Sequence, residues 1–371
     1  MLTDAMKGLR VLDLSQYIPG PFATLLLSDL GAEVVKVEPP AGDPMRGFGP
    51  AGADGVSGFY TVLNRNKTVV RVDLKTEDGR RAMEDLIRGS HVLLESYRPG
   101  TLERLGLGRD RLQEIAPHLV HCALSGYGQD GPLRLRAGHD LTYLALSGAL
   151  AATGPAERPV MPFPPLADHA GALMAVIAIL GALLRRLRSG RGAYLDVSLF
   201  EAAAGLNAVG LVLGRLTGGP IREGEALTGG GAYYRCYRTA DDRFMALAAI
   251  EPKFWAAFCR AVDRPAWITR QDEPVPQEAL IAEVEALFAT RTQADWRAVL
   301  AEVDCCCEPV LTSMEAPDHP HVAARGLMGE GAEGLADVLL PIMLDGAAPS
   351  PRRPLREAEA TDVLSGWAAP R

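Results

Sequence analysis

Short apolar runs alternate with longer amphipathic segments in the first part of the chain. Residues 9–14 (LRVLDL) predict a buried strand, and an Ile-Pro-Gly-Pro turn then leads into a helical pattern over residues 22–30 that Gly31 ends. Residues 33–38 (EVVKVE) predict a second strand. This order predicts a β-α-β unit with parallel strands.

The same alternation continues along the chain. Further strand-like runs occupy residues 69–72, 92–94 and 119–124, with helical stretches between them. The pattern predicts an α/β fold whose large domain contains a Rossmann-like, open and largely parallel sheet.

The pattern of apolar and polar residues changes after the Gly-rich stretch 227–231. Residues 232–237 and 244–250 predict two strands, and helical patterns follow from Pro252, Gln277 and Gln293, which together predict a small α+β domain. At 371 residues the chain is too long for one ordinary core. We expect a large domain over residues 1–200, a linker over 201–227, the small domain over 228–315 and a C-terminal segment, 316–371, that returns to the large domain.

Charge and hydropathy restrict the classes of partner. The formal net charge of −8 disfavours a general nucleic-acid binder, because phosphate binding needs a basic surface. The most apolar run, residues 170–184, is shorter than the roughly 20 residues of a bilayer span and is closed by two arginines, so we expect a buried helix and no membrane association. No secretory signal is recognisable at Met1, so a cytoplasmic location is expected.

The cysteines do not form a zinc motif. They are Cys122, Cys236, Cys259 and the consecutive Cys305, Cys306 and Cys307. Consecutive cysteines lack the gap that lets two thiolates point at one metal ion, and no C-x-x-C pair occurs elsewhere. We expect buried apolar thiols and no metal site.

A dinucleotide-binding fold is not supported. Glu38 closes the second strand as such folds require, but the first turn, residues 15–21 (SQYIPGP), lacks the glycines that let the backbone approach a pyrophosphate. A G-x-G-x-x-G match at residues 47–52 lies in a Pro/Gly-rich loop with no strand before it. Nicotinamide binding is therefore not expected.

Two side chains are candidates for proton transfer. His139, in a Gly-His-Asp sequence, is of the type that titrates near neutral pH, and Asp168 stands at the head of the apolar helix. Two alternatives are open. His169 could be the base instead, although adjacent side chains rarely face one pocket, and Asp168 could cap the helix, whose dipole would stabilise its anion.

Several sequence blocks occur in an informative order. They are residues 13–40, Asn64-Arg65-Asn66-Lys67, Tyr97-Arg98-Pro99-Gly100, Ser125-Gly126-Tyr127-Gly128 and residues 138–143 (GHDLTY). Together they resemble the CaiB/BaiF (class III) coenzyme A transferase family over nearly the whole chain. Residues 229–234 (GGGAYY), 237–241 (YRTAD) and 249–254 (AIEPKF) are similar to its 2-methylacyl-CoA racemase branch.

The resemblance implies an enzyme, an isomerase that interconverts (R)- and (S)-2-methylacyl-CoA thioesters by moving the α-proton. It implies His139 and Asp168 as the acid-base pair and Glu251 as the carboxylate that orients the imidazole. Glu251 could instead be a simple charge at the start of the helix that Pro252 opens. The resemblance implies no cofactor beyond the coenzyme A of the substrate, and no metal.

The resemblance also implies contacts to coenzyme A. The implied residues are Asn64, Arg65, Asn66, Lys67, Arg98, Gly138, Asp140 and Tyr143. Cations in loops suit a polyanionic nucleotide, but solvated surface charge is the alternative for Arg65, Lys67 and Arg98. Pro39 departs from the branch, whose members tend to carry a basic residue there, so nucleotide contacts are expected to differ locally.

Finally, the resemblance implies an interlocked homodimer in which Glu251 of one chain completes the site of the other. The main alternative is a class III CoA-transferase in which Asp168 attacks the thioester and carries the acyl group. Ile18, where oxalate-type transferases carry glutamine, and the pairing of Gly-His-Asp with Ile-Glu-Pro favour the racemase. A catalytically silent CoA-binding protein would be expected to lack these side chains. The acyl chain is not determined by the sequence.

Overall fold

The computed structural model describes residues 2–219, 222–331 and 334–368. The chain divides into two compact units. The first spans Met1–Ser147, Phe163–Leu206 and Pro317–Arg371, and the second spans Gly148–Pro162 and Asn207–Ala316. The expected linker, 201–227, is largely helical, and its residues up to Leu206 belong to the first unit.

The helices and strands follow the chain in this order. In the first unit they are β1 (Arg10–Leu14), α1 (Pro19–Asp29), β2 (Glu33–Glu38), α2 (Gly58–Asn64), β3 (Thr68–Arg71), α3 (Glu77–Gly89), β4 (Val92–Glu95), α4 (Thr101–Arg104), α5 (Arg109–Ile115), β5 (Val120–Ser125), α6 (Asp140–Leu146), α7 (Leu166–Ser189), β6 (Ala193–Ser198) and α8 (Leu199–Leu206). In the second unit they are α9 (Ala208–Thr217), β7 (Tyr234–Arg238), β8 (Phe244–Ala248), α10 (Pro252–Ala261), α11 (Glu278–Phe288), α12 (Gln293–Leu300) and β9 (Cys307–Pro309). The chain then re-enters the first unit with α13 (Pro320–Arg325), β10 (Met328–Glu330), β11 (Ala336–Val338), β12 (Arg356–Glu357) and α14 (Ala360–Ala368).

The first unit is built on a seven-stranded sheet in the order β12-β3-β2-β1-β4-β5-β6. Each neighbouring pair is parallel, so the predicted open parallel sheet is confirmed. Strands of such a sheet are covered on both faces, which explains why β1, β4 and β5 are almost wholly buried. The strand order reverses direction between β1 and β4, where a crevice forms outside the carboxyl ends of the strands.

Charged side chains inside this sheet are paired. Asp13 on β1 is fully buried, and its carboxylate accepts hydrogen bonds from Lys67 Nζ at 3.0 Å and Thr24 Oγ1 at 2.6 Å. Burial alone would raise the pKa of Asp13, but Lys67 and Lys36 together bring it well below its ordinary value. Lys36 donates to the Ser15 carbonyl at 2.7 Å and pairs with Asp43 at 2.8 Å. The network fixes the turn that follows β1.

The apolar helix α7 has 24 residues and extends beyond the predicted run 170–184, and it is long and apolar enough to cross a membrane. The neighbouring α8 and α9 are long and apolar enough when taken together. One or two such helices do not by themselves indicate a membrane protein, since core helices of soluble proteins can be equally long and apolar. Within the first unit α7 packs against α1, α8, β5 and β6, and just under half of its most apolar stretch is buried.

The second unit packs helices on a three-stranded antiparallel sheet, β7-β8-β9. Its core is aromatic: Phe288 stacks near Tyr237 and Phe258 and meets Trp296 edge-on, with ring centroids 5.0–5.8 Å apart. Four of the cysteines are buried as expected, whereas Cys236 and Cys306 are exposed. The expectation of buried thiols is therefore wrong for these two.

Candidate active site

The candidate site is a cavity of about 530 Å³ in the first unit, at the crevice between β1 and β4. Segments that follow three neighbouring strands line it: Gln16 and Tyr17 after β1, Ser96 to Arg98 after β4, and Ser125 to Tyr127 around the end of β5. Parallel strands expose their carboxyl ends on one edge, so the sheet itself brings these segments together. His139, Tyr143 and Asp168 also line this cavity.

His139 sits immediately before α6, as the residue that begins this helix. Its backbone is extended, and its N–H donates to Thr142 Oγ1 at 3.0 Å while the Thr142 hydroxyl donates back to the His139 carbonyl at 2.8 Å. The imidazole is exposed to the cavity and meets the Tyr17 ring edge-on, with centroids 6.2 Å apart. Tyr17 has a φ of 63°, an uncommon conformation for a non-glycine residue that often marks a functional site.

Asp168 lies in the first turn of α7 and is half-buried. Burial, and then the negative charge of Asp140, raise the pKa of the Asp168 carboxyl from an ordinary 3.8 to about 7. The dipole of α7 would stabilise the anion and lower this pKa, but burial and the Asp140 charge outweigh it. A carboxyl with this pKa can both bind and release a proton near neutral pH, as a general acid-base group must.

Asp168 is not the helix cap. The helix begins at Leu166 after Pro165, so the capping interpretation is wrong. Asp140 has that function from a distance of 27 residues along the chain: its Oδ1 accepts from the Ala167 N–H at 2.6 Å and from the Asp168 N–H at 3.1 Å.

His169, the alternative base, is directed elsewhere. Its Nδ1 lies 2.6 Å from the Pro165 carbonyl oxygen, and its ring packs edge-on against Phe22 with centroids 5.0 Å apart. A ring nitrogen at that distance from a carbonyl must donate its proton to it. The cavity is lined by His139 rather than His169, which favours His139 as the base.

Tyr143 is held between two glycines. A Cβ on Gly126 would lie 2.5 Å from the Tyr143 hydroxyl, and one on Gly138 would lie 2.6 Å from the ring, so both positions need glycine for this close approach. Burial, followed by the Asp168 charge, raises the pKa of Tyr143 far above its ordinary value. The phenol is therefore neutral and can donate a hydrogen bond into the cavity.

Arginines give the cavity a positive wall. Those that line it are Arg98, Arg104, Arg134 and Arg136. Sequence reasoning identified Arg98 and missed the others, of which Arg134 and Arg136 lie in a Gly/Pro-marked loop before Gly138 with no periodic pattern to reveal them. In the described ranges Arg98, Arg134 and Arg136 have no ion-pair partner. An overall acidic protein thus has a local basic site, as a polyanionic ligand requires.

A second cavity of about 200 Å³ shares Gln16 and Tyr97 with the first. It lies outside the ends of β2 and β3, where Pro39 and Lys75 line it. Lys75 is an exposed cation at this end of the sheet, close to Pro39, the position at which a basic residue was expected from the resemblance. Neither Lys75 nor Tyr97 was identified as a site residue from the sequence, although each follows a strand.

The block Asn64 to Lys67 is not brought to these cavities. It precedes β3, so it lies at the amino end of that strand. Arg65 is fully buried and pairs with Asp337 at 3.0 Å, while Lys67 pairs with Asp13 and donates a hydrogen bond to Asn64 Oδ1 at 2.9 Å. Asn66 donates weakly to Asp29 at 3.3 Å. These side chains have partners inside the first unit, and their role in coenzyme A binding stays a prediction.

Glu251 belongs to the second unit, where it directly precedes α10 and is exposed. Partial burial, and then the negative charge of Glu251, raise the pKa of the Cys306 thiol. Its predicted role, orienting His139 across a dimer, stays a prediction.

The chain belongs to CoA-transferase family III, whose characteristic sequence matches residues 6–355, and it is therefore an enzyme of a family that acts on acyl-CoA. It is 36% identical over 330 residues to the alpha-methylacyl-CoA racemase of Homo sapiens, covering 87% of this chain and 82% of that protein. It is 33% identical over 343 residues to the succinyl-CoA:glutarate CoA-transferase of Mus musculus, covering 88% and 77%. A CAIB/BAIF family protein from Brucella suis shares the fold with a TM-score of 0.85 at 28% identity, covering 98% and 99% of the two chains.

Proposed function

We propose that the protein is a racemase that interconverts (R)- and (S)-2-methylacyl-CoA thioesters. The observation that carries this proposal is that His139 and Asp168 line one cavity in which each is accessible to a bound molecule. Inversion at carbon needs a base on one face of the α-carbon and an acid on the other. The pair supplies both.

The reaction moves one proton in and one proton out. His139 takes the α-proton of one enantiomer, the C–H electron pair becomes the enolate, and Asp168 gives its proton to the opposite face. In the reverse direction the roles exchange. The enolate oxygen needs a hydrogen-bond donor, and Tyr143, which is neutral and lines the cavity, is our candidate.

The proton affinity of Asp168 suits an acid-base role. A carboxylate that attacks a thioester must be ionised, whereas a racemase group must carry a proton in one half of its cycle. With a pKa of about 7, Asp168 populates both forms at neutral pH. The class III CoA-transferase remains the second candidate, because relatives such as the mouse glutarate enzyme are named for that reaction.

The arginine wall supports an acyl-CoA substrate. Arg98 and Arg136 carry unpaired charge at the cavity and suit the phosphates of the nucleotide. The adjoining cavity with Lys75 extends the space available to the remote end of coenzyme A.

We further propose that the enzyme is a homodimer in which Glu251 of one chain orients His139 of the other. Exposed apolar side chains on two helices support assembly. On α7 they are Leu173, Met174, Ile177, Leu184 and Leu187, and on α9 they are Val209, Leu211, Val212 and Leu216. We expect light scattering to give a dimer that survives dilution to nanomolar concentration. An active monomer would refute the assembly.

The decisive experiment incubates the enzyme with each enantiomer of a 2-methylacyl-CoA in deuterium oxide. We expect deuterium at the α-carbon, inversion of configuration and no acyl transfer to added succinate or glutarate. A second sample is quenched with hydroxylamine, which traps acyl-enzyme as a hydroxamate. Acyl transfer together with modification of the peptide that contains Asp168 would replace the racemase by the transferase.

A further inference from the structure

Asp140 joins the two halves of the candidate acid-base pair. It directly follows His139, and its Oδ1 accepts hydrogen bonds from the Ala167 and Asp168 N–H groups at 2.6 and 3.1 Å. We propose that Asp140 is a positioning residue, which holds the first turn of α7, and with it Asp168, in register with His139. This inference rests on the proposed function for its catalytic consequence and on geometry for its structural one.

The first turn of α7 needs such a partner. The first N–H groups of a helix lack acceptors within the helix, and Pro165, which precedes α7, has no side chain that could accept them. An acceptor from the start of α6 therefore satisfies two of these donors at once. Any movement of α6 relative to α7 would break hydrogen bonds made by the backbone of Asp168 itself.

The same carboxylate also brings charge close to Asp168. After burial, the Asp140 charge contributes to the raised pKa of Asp168. Other titratable or charged groups share the cavity with Asp168 and come from the surrounding elements. They are His139 and Tyr143 from α6 and its start, Tyr17 before α1, Tyr97, Arg98 and Arg104 after β4, Tyr127 after β5, and Arg134 and Arg136 in the loop before Gly138.

Two substitutions of Asp140 distinguish its effect on the position of Asp168 from the effect of its charge. Asp140→Asn keeps an acceptor oxygen of the same reach and removes the charge, whereas Asp140→Ala removes both. Asp241→Ala is the matched control, because Asp241 Oδ1 likewise caps a distant helix start, accepting from the Gln293 N–H at 3.0 Å in the second unit.

The first readout does not depend on activity. The carboxyl of Asp168 is titrated by ¹³C NMR in the full-length apo enzyme, with Asp168→Asn used to assign its signal. We expect its midpoint to move from about 7 toward the ordinary value of 3.8 in Asp140→Asn, and to stay in place in Asp241→Ala. An unchanged midpoint in Asp140→Asn would overturn the charge component of the proposal.

The second readout is the exchange reaction. We expect kcat to fall about 10²-fold in Asp140→Ala with KM changed less than about threefold, because misplaced reacting groups affect the chemical step. Asp140→Asn keeps Asp168 in position but lowers its pKa, so most of kcat should return only at a pH below the new midpoint of Asp168. A raised KM with unchanged kcat in both variants would return Asp140 to coenzyme A binding and overturn the proposal. If the wild type exchanges no α-proton, the proposed function fails, while the titration still decides whether Asp140 tunes Asp168.

Discussion

The sharpest test of the two-base reaction is Asp168→Asn. The amide has the size of the carboxyl and cannot take or give a proton, so it removes one acid-base group from the pair. The Asp140 carboxylate accepts hydrogen bonds from backbone N–H groups and not from the Asp168 side chain. The first turn of α7 should therefore keep its position in the variant.

The size of the effect follows from proton occupancy. A carboxyl with the ordinary pKa of 3.8 would be protonated in roughly one molecule in 10³ at pH 7, whereas Asp168, at about 7, is protonated in roughly half of them. The variant has no such proton to give. We expect inversion to fall by about 10²–10⁴-fold, the range for a lost acid-base group.

The two enantiomers should respond differently. His139 remains able to remove and return the α-proton of the enantiomer that presents its hydrogen to the imidazole, so that enantiomer should still exchange with deuterium oxide within about tenfold of the wild-type rate. The other enantiomer should lose exchange. His139→Asn should show the reverse preference.

The assay follows each pure enantiomer by proton NMR in deuterium oxide, with chiral analysis of the recovered acid. Asp110→Asn is the control, since Asp110 also lies in the first turn of a helix, α5, outside the cavity. Wild-type inversion by Asp168→Asn would refute the reasoning. Loss of exchange for both enantiomers, with acyl transfer in the wild type, would support the transferase instead.

Two further substitutions and one measurement of pH dependence test other aspects of the site. Arg98→Ala should raise KM for the thioester about tenfold with little change in kcat, because a contact to the remote nucleotide is equally strong in the ground state and the transition state. Steady-state kinetics check this, with the exposed Arg81→Ala as the control. Tyr143→Phe should lower kcat about 10²–10³-fold in the exchange assay if its hydroxyl binds the enolate oxygen, and an unchanged kcat would exclude that role. The raised pKa of Asp168 means that the folded state holds a proton which the unfolded chain releases, so its contribution to stability is full below about 3.8 and is lost as pH rises to about 7. Thermal unfolding of Asp168→Asn should therefore show a gain over the wild type at pH 8 that shrinks at pH 5, and an equal gain at both would contradict the assigned pKa.

Much of the sheet was predictable because buried parallel strands are short, nearly continuous apolar runs. Residues 33–38 were predicted as a strand and form β2 with the same bounds. The strands missed were β6 and β9 to β12. Apart from β6, each has only two or three residues and is too short to show a period. The pairing of β9 and β12 depends on neighbours far away in the chain.

The candidate site was predictable only in part. His139 and Asp168 were singled out by residue type and by the resemblance, and the structure brings them to one cavity. The block Asn64 to Lys67 was interpreted as loop residues that contact coenzyme A, a role that stays a prediction. In the structure this block precedes β3, and its charges are paired inside the first unit. The role of Asp140 could not be seen, because a contact over 27 residues leaves no local pattern.

The pairing of β12 with β3 has a consequence for how the protein is made. A ribosome completes residues 207–316, the main part of the second unit, before it reaches residues 356–357, which cover the edge of the large sheet. Until then the edge of β3 offers unpaired backbone groups, to which other nascent chains can add a strand. While residues 207–316 are synthesised, the segments that line the candidate cavity are already present and the edge of β3 is still unpaired, so aggregation through this edge is favoured most at this late stage of synthesis.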